Sequence, residues 1–317
     1  MIALEEIAMA RAFRFGVQCW LAGSRSEWQA KARRVEALGY QVFLVPDHFG
    51  EQFAPTPALL SAAEATRSIR IGSLVYDNDF RHPALLAKEA ATLDLLCDGR
   101  FEFGIGAGWM RSEYEQAGLA FEPGPTRVAR LEEAVPLIRS IWHGGPASHE
   151  GKHYRLAGLE SAPLPTQRPG PPLLIGGGGP RILRLAAREA DIVGLVLRSR
   201  ADGNGLDLGD LSSAALDDKV RWVREAAGAR FAALELNTLL QTIAITSDRH
   251  AAAARISQAF GVPSDAVLDT PYALVGSPAE IEALLHERRE RFGISYYVLF
   301  ERDMEAFAPI AARLAGA

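Results

Sequence analysis

Cysteine and lysine are both scarce in this 317-residue sequence. The two cysteines, Cys19 and Cys97, each lie in an apolar stretch and supply neither a disulfide framework nor a Cys-based zinc site. A reducing, cytoplasmic address is the expectation that follows. The lysines are Lys31, Lys88, Lys152 and Lys219, so arginine makes up nearly all of the 34 basic residues. Against 39 acidic residues the formal net charge is −5, which leaves no overall positive field for a phosphate backbone and argues against nucleic acid as a partner. No apolar run is long enough to cross a bilayer, so no membrane association is expected. Residues 1–12 contain Glu5 and Glu6 and no basic segment, so they are expected to be a disordered extension rather than a secretory signal.

Two familiar chemistries are missing as well. There is no Gly-x-Ser-x-Gly elbow and no His-x-His pair. His149 and His153 stand four apart, but Pro146 and Gly151 argue against a helix there, so no metal site is expected.

What the sequence does have is alternation. It is 48% hydrophobic with 29 glycines, and short β-like runs alternate with helical patterns almost end to end, which is the signature of a parallel sheet built from βαβ units. Strands are expected at 13–18, 41–45, 69–76, 100–105, 173–175, 192–197, 234–245 and 295–300. Helices are expected at 27–38, 57–66, from Pro83 onward, 126–142, 180–190, 214–227, 250–260, 278–291 and 304–314. Eight parallel strands with interleaved helices predict an α/β fold, a single (β/α)8 TIM barrel over 13–317. The turn-rich segments 143–172 and 198–213 read as insertion loops serving as lids or partner surfaces.

Barrel enzymes carry their chemistry where strands end, so those segments hold the candidates. The second strand runs into Asp47 and His48, a carboxylate beside an imidazole that titrates near neutral pH, equally readable as a capped turn. The third runs into Tyr76, Asp77, Asn78 and Asp79, while Arg81-His82-Pro83 reads as a turn and helix cap. The fourth carries Gly104, Gly106 and Gly108, tolerated where a flat ligand or another backbone comes close, followed by Trp109. The fifth ends in Gly176 to Gly179 directly before Pro180, a glycine run opening a helix, which suits an anion such as phosphate.

Together residues 45–49, 70–83 with 86–94, 99–109 and 173–191 resemble the luciferase-like flavin monooxygenase superfamily, and within it the coenzyme F420-dependent oxidoreductases. The likeness spans nearly all of the chain after Ala12. It implies a commonly dimeric (β/α)8 barrel with a deazaflavin or flavin at the strand C-termini, and hydride transfer to or from a small organic substrate. By that resemblance His48 is the candidate general acid/base and Asp47 its cofactor-contacting neighbour. A non-prolyl cis peptide at Ser73-Leu74 would back the ring, Gly106, Ala107 and Gly108 would line it, and Gly176, Gly177, Gly178 and Gly179 would hold the phosphate, with arginines such as Arg181 nearby. Trp109 stands where some F420 dehydrogenases carry an acid, so its indole would instead wall an apolar substrate pocket with Tyr76 and Asp77. Two alternatives stay open: a two-component monooxygenase using FMN reduced by a separate enzyme, and a barrel that binds flavin without catalysis.

Overall fold

The computed structural model describes residues 11–317. The expected extension at 1–12 falls largely on residues 1–10, which lie outside the described residues. Eight parallel strands close into a barrel: β1 (Arg14–Gln18), β2 (Val42–Val45), β3 (Arg70–Ser73, resuming at Tyr76–Asp77), β4 (Phe101–Gly106), β5 (Leu173–Gly177), β6 (Ile192–Leu195), β7 (Glu235–Leu239) and β8 (Ile294–Phe300). Each pairs with its neighbour in sequence, and β8 returns to β1 with Arg14 opposite Tyr296 and Gln18 opposite Phe300. The expected (β/α)8 barrel is the fold observed.

Strand alternation explains its two cores. Outward residues such as Phe15, Phe43, Phe103, Ile175 and Tyr297 pack under the helices, where Trp28, Leu86 and Trp142 also lie. Inward residues Val42, Leu44, Leu174, Ile192, Tyr296 and Val298 fill the barrel, so it is packed and not a pore. Glycine makes that filling possible at Gly72, where a Cβ would come within 3.0 Å of both the Glu102 carbonyl and the Leu44 side chain.

The bottom of the barrel is closed by charge. Arg14 reaches Glu102 at 2.9 Å and Glu235 at 3.2 Å, Arg70 reaches Glu102 at 2.7 Å, and Arg14 lies 4.1 Å over the Tyr296 ring.

Three departures from expectation follow from local structure. The stretch 234–245 is two strands, because the chain leaves the barrel after Leu239. Thr242–Ile245 pairs instead with Ala273–Gly276, a four-residue strand not expected, in a small parallel pair outside the barrel. Two short helices, Arg111–Gln116 and Ser264–Asp269, were likewise not expected. The insertion at 143–172 contributes no lining residue to the cavity at the strand C-termini, though Tyr154 reaches its edge, accepting from Asn78 at 2.9 Å. It forms a hairpin, Ala147–Glu150 with Arg155–Leu159, tied to the helix Gly124–His143 by Glu133, which accepts the amides of Lys152, His153 and Tyr154. Farther along, Gln167 bonds Asp94 and the Phe101 carbonyl near the start of β4, away from the strand ends that carry chemistry.

Candidate active site at the strand C-termini

A cavity of about 460 Å³ opens at the C-terminal ends of the strands, within the range usual for small-molecule sites. It gathers Asp47, His48, Leu74, Tyr76 and Asp77 from one side and Gly106, Ala107, Gly108 and Trp109 from the next. Gly176 to Gly179 close it opposite, and the insertion at 198–213 adds Arg198, Ser199 and Leu206. That insertion is anchored by the buried Lys219, whose ammonium bonds Asp210, the Val196 carbonyl and the Tyr272 hydroxyl.

His48 does not take its carboxylate from Asp47. Adjacent residues on extended backbone point to opposite sides, so the two part. His48 Nδ1 lies 2.8 Å from Glu113 Oε2, and the same carboxylate accepts the Phe49 amide at 2.9 Å. Glu113 is buried on the short helix Arg111–Gln116. Donation of Nδ1–H to Glu113 leaves Nε2 as the nitrogen free to exchange a proton. The Trp109 indole meets the imidazole edge-on, 6.0 Å between centroids.

Asp47 is held elsewhere: Arg81 grips both its oxygens and the Asp77 amide donates to Oδ2 at 3.1 Å. It borders the cavity as a brace more than as a free ligand contact. The expected turn and cap are present, with His82 accepting the Ala84 amide, and from the bend before it Arg81 turns its guanidinium to Asp47 in this corner.

The wall made by β3 corrects two further assignments. The non-prolyl cis bond is Leu74–Val75, one residue beyond the expected Ser73-Leu74. Pairing with β2 continues through the Leu74 amide, which donates to the Val45 carbonyl at 2.9 Å, so the ladder breaks only after it. Ser73 does not line the cavity. Its hydroxyl is locked into the barrel wall, donating to the Gly104 carbonyl at 2.8 Å and accepting the Gly104 amide at 2.9 Å. Tyr76 borders the cavity, but its ring points into the helix layer beside Phe103 and its hydroxyl meets Thr56 at 2.9 Å, so it offers no substrate-facing group.

Asp77 faces the other way, toward Gly108, where φ is +72° and a Cβ would fall 2.8 Å from Asp77 Oδ1. Burial, with the Asp79 and Asp47 carboxylates nearby, pushes the Asp77 carboxyl up to about 7, against the pull of the bonds from the Asp79 amide and Tyr114.

The glycine loop has the character of an anion site. Gly179 is the N-cap of the helix Pro180–Glu189 and has no side chain to cap it, and no acid stands in the first turn, so first-turn amides remain unclaimed. A Cβ on Gly178 would strike the Arg198 backbone. Arg198 therefore sits beside the loop with a half-exposed guanidinium, 3.7 Å from Asp210. Arg181 does not serve there: it pairs with Glu132 and the Pro125 carbonyl and does not line the cavity. Arg127 borders the cavity but is turned to the carbonyls of Ala107, Gly108 and Glu122, and burial lowers its pKa.

On the floor Asn237 donates to the Tyr296 carbonyl at 3.2 Å, while its Oδ1 is buried with no partner among the described residues. A buried acceptor of this kind calls for a donor from a bound molecule or water. Glu113 and Asn237 escaped sequence reasoning, and Arg198 entered it only as the first residue of the insertion expected to shape the pocket, not as a group for an anion. For Glu113 the available signal was an acid four residues after the strand-end tryptophan, and for Arg198 an arginine directly after the strand expected at 192–197, which ends at Leu195.

Against known proteins, the luciferase-like monooxygenase family model matches residues 13–294. The F420-dependent glucose-6-phosphate dehydrogenase of Amycolatopsis mediterranei is 32% identical over 185 residues, 56% of this chain and 54% of that protein. The oxygenase component of the flavin-dependent trigonelline monooxygenase of Acinetobacter baylyi is 34% identical over 158 residues, 48% of this chain and 42% of that one. The chain spans about half the length of the first curated relatives it matches. In fold it is similar to the coenzyme F420 dependent tetrahydromethanopterin reductase from Methanopyrus kandleri, with TM-score 0.77, 17% identity and coverage of 96% of this chain and 98% of that one.

Proposed function

This chain belongs to the luciferase-like monooxygenase family, and we propose that it is a coenzyme F420-dependent oxidoreductase, moving a hydride between the deazaflavin and a small organic substrate. The observation that carries this reading is the His48–Glu113 pair, which faces a cavity closed on its other side by an uncapped glycine loop. One side offers a proton-transfer group and the other an anion seat, as a cofactor with a charged tail and a reacting ring requires. The residues fit such a group. The orphaned Asn237 Oδ1 can accept a ring N–H, and a side chain on Gly106 would crowd Val75 at 2.8 Å.

When bound, the deazaflavin would supply or accept the hydride. The amides after Gly176 to Gly179 and the Arg198 guanidinium hold the anionic tail. Leu74 and Val75 back the ring, with Gly106, Ala107 and Gly108 alongside. His48 Nε2 gives or takes the proton that accompanies hydride movement, Glu113 fixing its orientation through Nδ1. Trp109, Leu206 and Phe300 shield the reacting atoms from water. Action as a cytoplasmic homodimer, on cofactor reduced by a separate enzyme, completes the proposal.

The second reading, an FMN-dependent oxygenase component, is favoured by the similarity to the trigonelline monooxygenase component. Fluorescence titration with F420 and FMN, followed by oxygen uptake with each reduced cofactor, separates the two. The proposal expects tighter F420 binding and no oxygen uptake coupled to substrate turnover. Tighter FMN binding with coupled oxygen consumption overturns it.

A further inference from the structure

Three acids crowd one corner of the cavity, and two of them have arginine partners. Asp47 is gripped by Arg81, and Asp79 meets Arg130 at 2.6 Å. Among the described residues no cation pairs with Asp77. Its carboxyl is instead addressed by Tyr114, whose hydroxyl lies 3.0 Å from Asp77 Oδ1, 2.9 Å from Asp77 Oδ2 and 3.1 Å from Asp79 Oδ2. A phenol has one proton to donate. The Asp79 amide also donates to Asp77 Oδ1 at 2.9 Å and Arg130 to Asp79 Oδ2, so with both acids ionised the single Tyr114 hydrogen stands between Asp77 Oδ2 and Asp79 Oδ2 and leaves the Tyr114 oxygen against one carboxylate with no hydrogen between them. A proton on Asp77 resolves the conflict: Asp77 donates to the Tyr114 oxygen, and Tyr114 donates to the Asp79 carboxylate held by Arg130.

We propose that Asp77 is a second acid of the site, a neutral carboxylic acid kept protonated by the Tyr114–Asp79 relay and able to give its proton to the molecule bound against Gly108. This rests on the cavity being the cofactor and substrate site. The step balances simply. As hydride arrives at the substrate, the atom that gains electron density takes the Asp77 proton, so the Asp77 O–H bond breaks and a carboxylate remains, while His48 Nε2 takes the proton that the hydride donor releases; both groups then re-equilibrate with water. Gly108 lets the Asp77 carboxyl and the Tyr114 hydroxyl pack against its backbone at the cavity wall, since a Cβ there would strike both.

The groups facing Asp77 set its titration. They are Asp47 with Arg81, Asp79 with Arg130, Tyr114 from the short helix and Arg127 from the helix Gly124–His143. The nearby carboxylates and burial outweigh the cations, consistent with a carboxyl raised to about 7.

The test uses infrared spectroscopy of the ligand-free protein from about pH 5 to pH 9, comparing wild type with Asp77→Asn and Asp79→Asn. Wild type is expected to show a protonated-carboxyl band that fades with a midpoint near 7. Asp77→Asn removes that band, and Asp79→Asn, by deleting a like charge and freeing Arg130, moves its midpoint down. In turnover, the wild-type fall in kcat/KM with rising pH flattens in Asp77→Asn, which also loses about tenfold in kcat at low pH. Identical spectra in wild type and Asp77→Asn overturn the proposal, as does an unchanged pH profile in Asp77→Asn. The infrared arm needs no cofactor, so failure of F420 to bind contradicts the cofactor reading while the spectra still decide whether Asp77 carries the proton.

Discussion

At the bottom of the barrel Glu102 lies between Arg14 and Arg70, and Arg14 also reaches Glu235; at the top Asp47 and Asp79 have their arginines while Asp77 has a phenol and His48 has Glu113. Both ends use carboxylates and arginines, the bottom set on the strands themselves and the top set mostly on the loops and helices that follow them. The bottom set is mutually complementary and bonds inward, whereas the top set retains capacity: a free Nε2, a shared proton, an orphaned amide oxygen and uncapped helix amides. Paired charge closes the barrel, and unpaired capacity is where a ligand enters.

The sharpest break of this contrast is at the bottom. Glu102→Gln, which leaves Arg70 without its carboxylate and Arg14 with Glu235 alone, is expected to lower unfolding free energy by about 3 kcal/mol in urea titration while the folded fraction keeps its kcat. A loss of kcat in the folded protein would merge the two ends into one functional unit. At the top the pattern reverses. His48→Ala is expected to lose about 100-fold or more in kcat with F420 affinity within about twofold and little change in stability. Unchanged turnover would remove His48 as the proton-transfer group.

Smaller effects divide the arginines. Arg198→Ala is expected to weaken F420 binding about tenfold and to flatten its salt dependence, whereas Arg181→Ala, already committed to Glu132, leaves both as they were. Equal losses from the two would place the anion elsewhere. The smallest effect is a stability slope. The folded Asp77 carboxyl keeps its proton up to about pH 7, while an unfolded aspartate releases it near 4. The unfolded state thus binds fewer protons across that window, so wild-type stability falls as pH rises through it and levels above. Asp77→Asn removes this penalty. Its stability advantage should widen by about 1 kcal/mol between about pH 6 and pH 8 by urea midpoint, and a constant gap would indicate an ionised Asp77.

Sequence periodicity was sufficient for the barrel because each strand alternates an outward apolar residue with an inward one, and each helix keeps its own repeat. It failed at Ala273–Gly276, where four residues are too few for a period to register. The positions of the site were legible for the same reason that barrel strands end where they do. Partnerships were not. Asp47 beside His48 looks like a pair in sequence, yet extended backbone parts them, and the true partner Glu113 is 65 positions away. Alternation also sends Tyr76 outward and Asp77 inward, and Ser73, polar and well placed, turns its hydroxyl on Gly104. Side-chain direction and long-range pairing come from tertiary packing, which local pattern does not encode.

Everything proposed for the top of the barrel turns on its holding a deazaflavin against the proton-transfer pair. A co-crystal structure with F420 tests this most directly. The phosphate tail is expected at Gly176 to Gly179 beside Arg198, the ring against Leu74 and Val75, and His48 Nε2 within hydrogen-bond reach of the reacting face. A ring bound away from His48, or a tail that leaves the glycine loop empty, would contradict it.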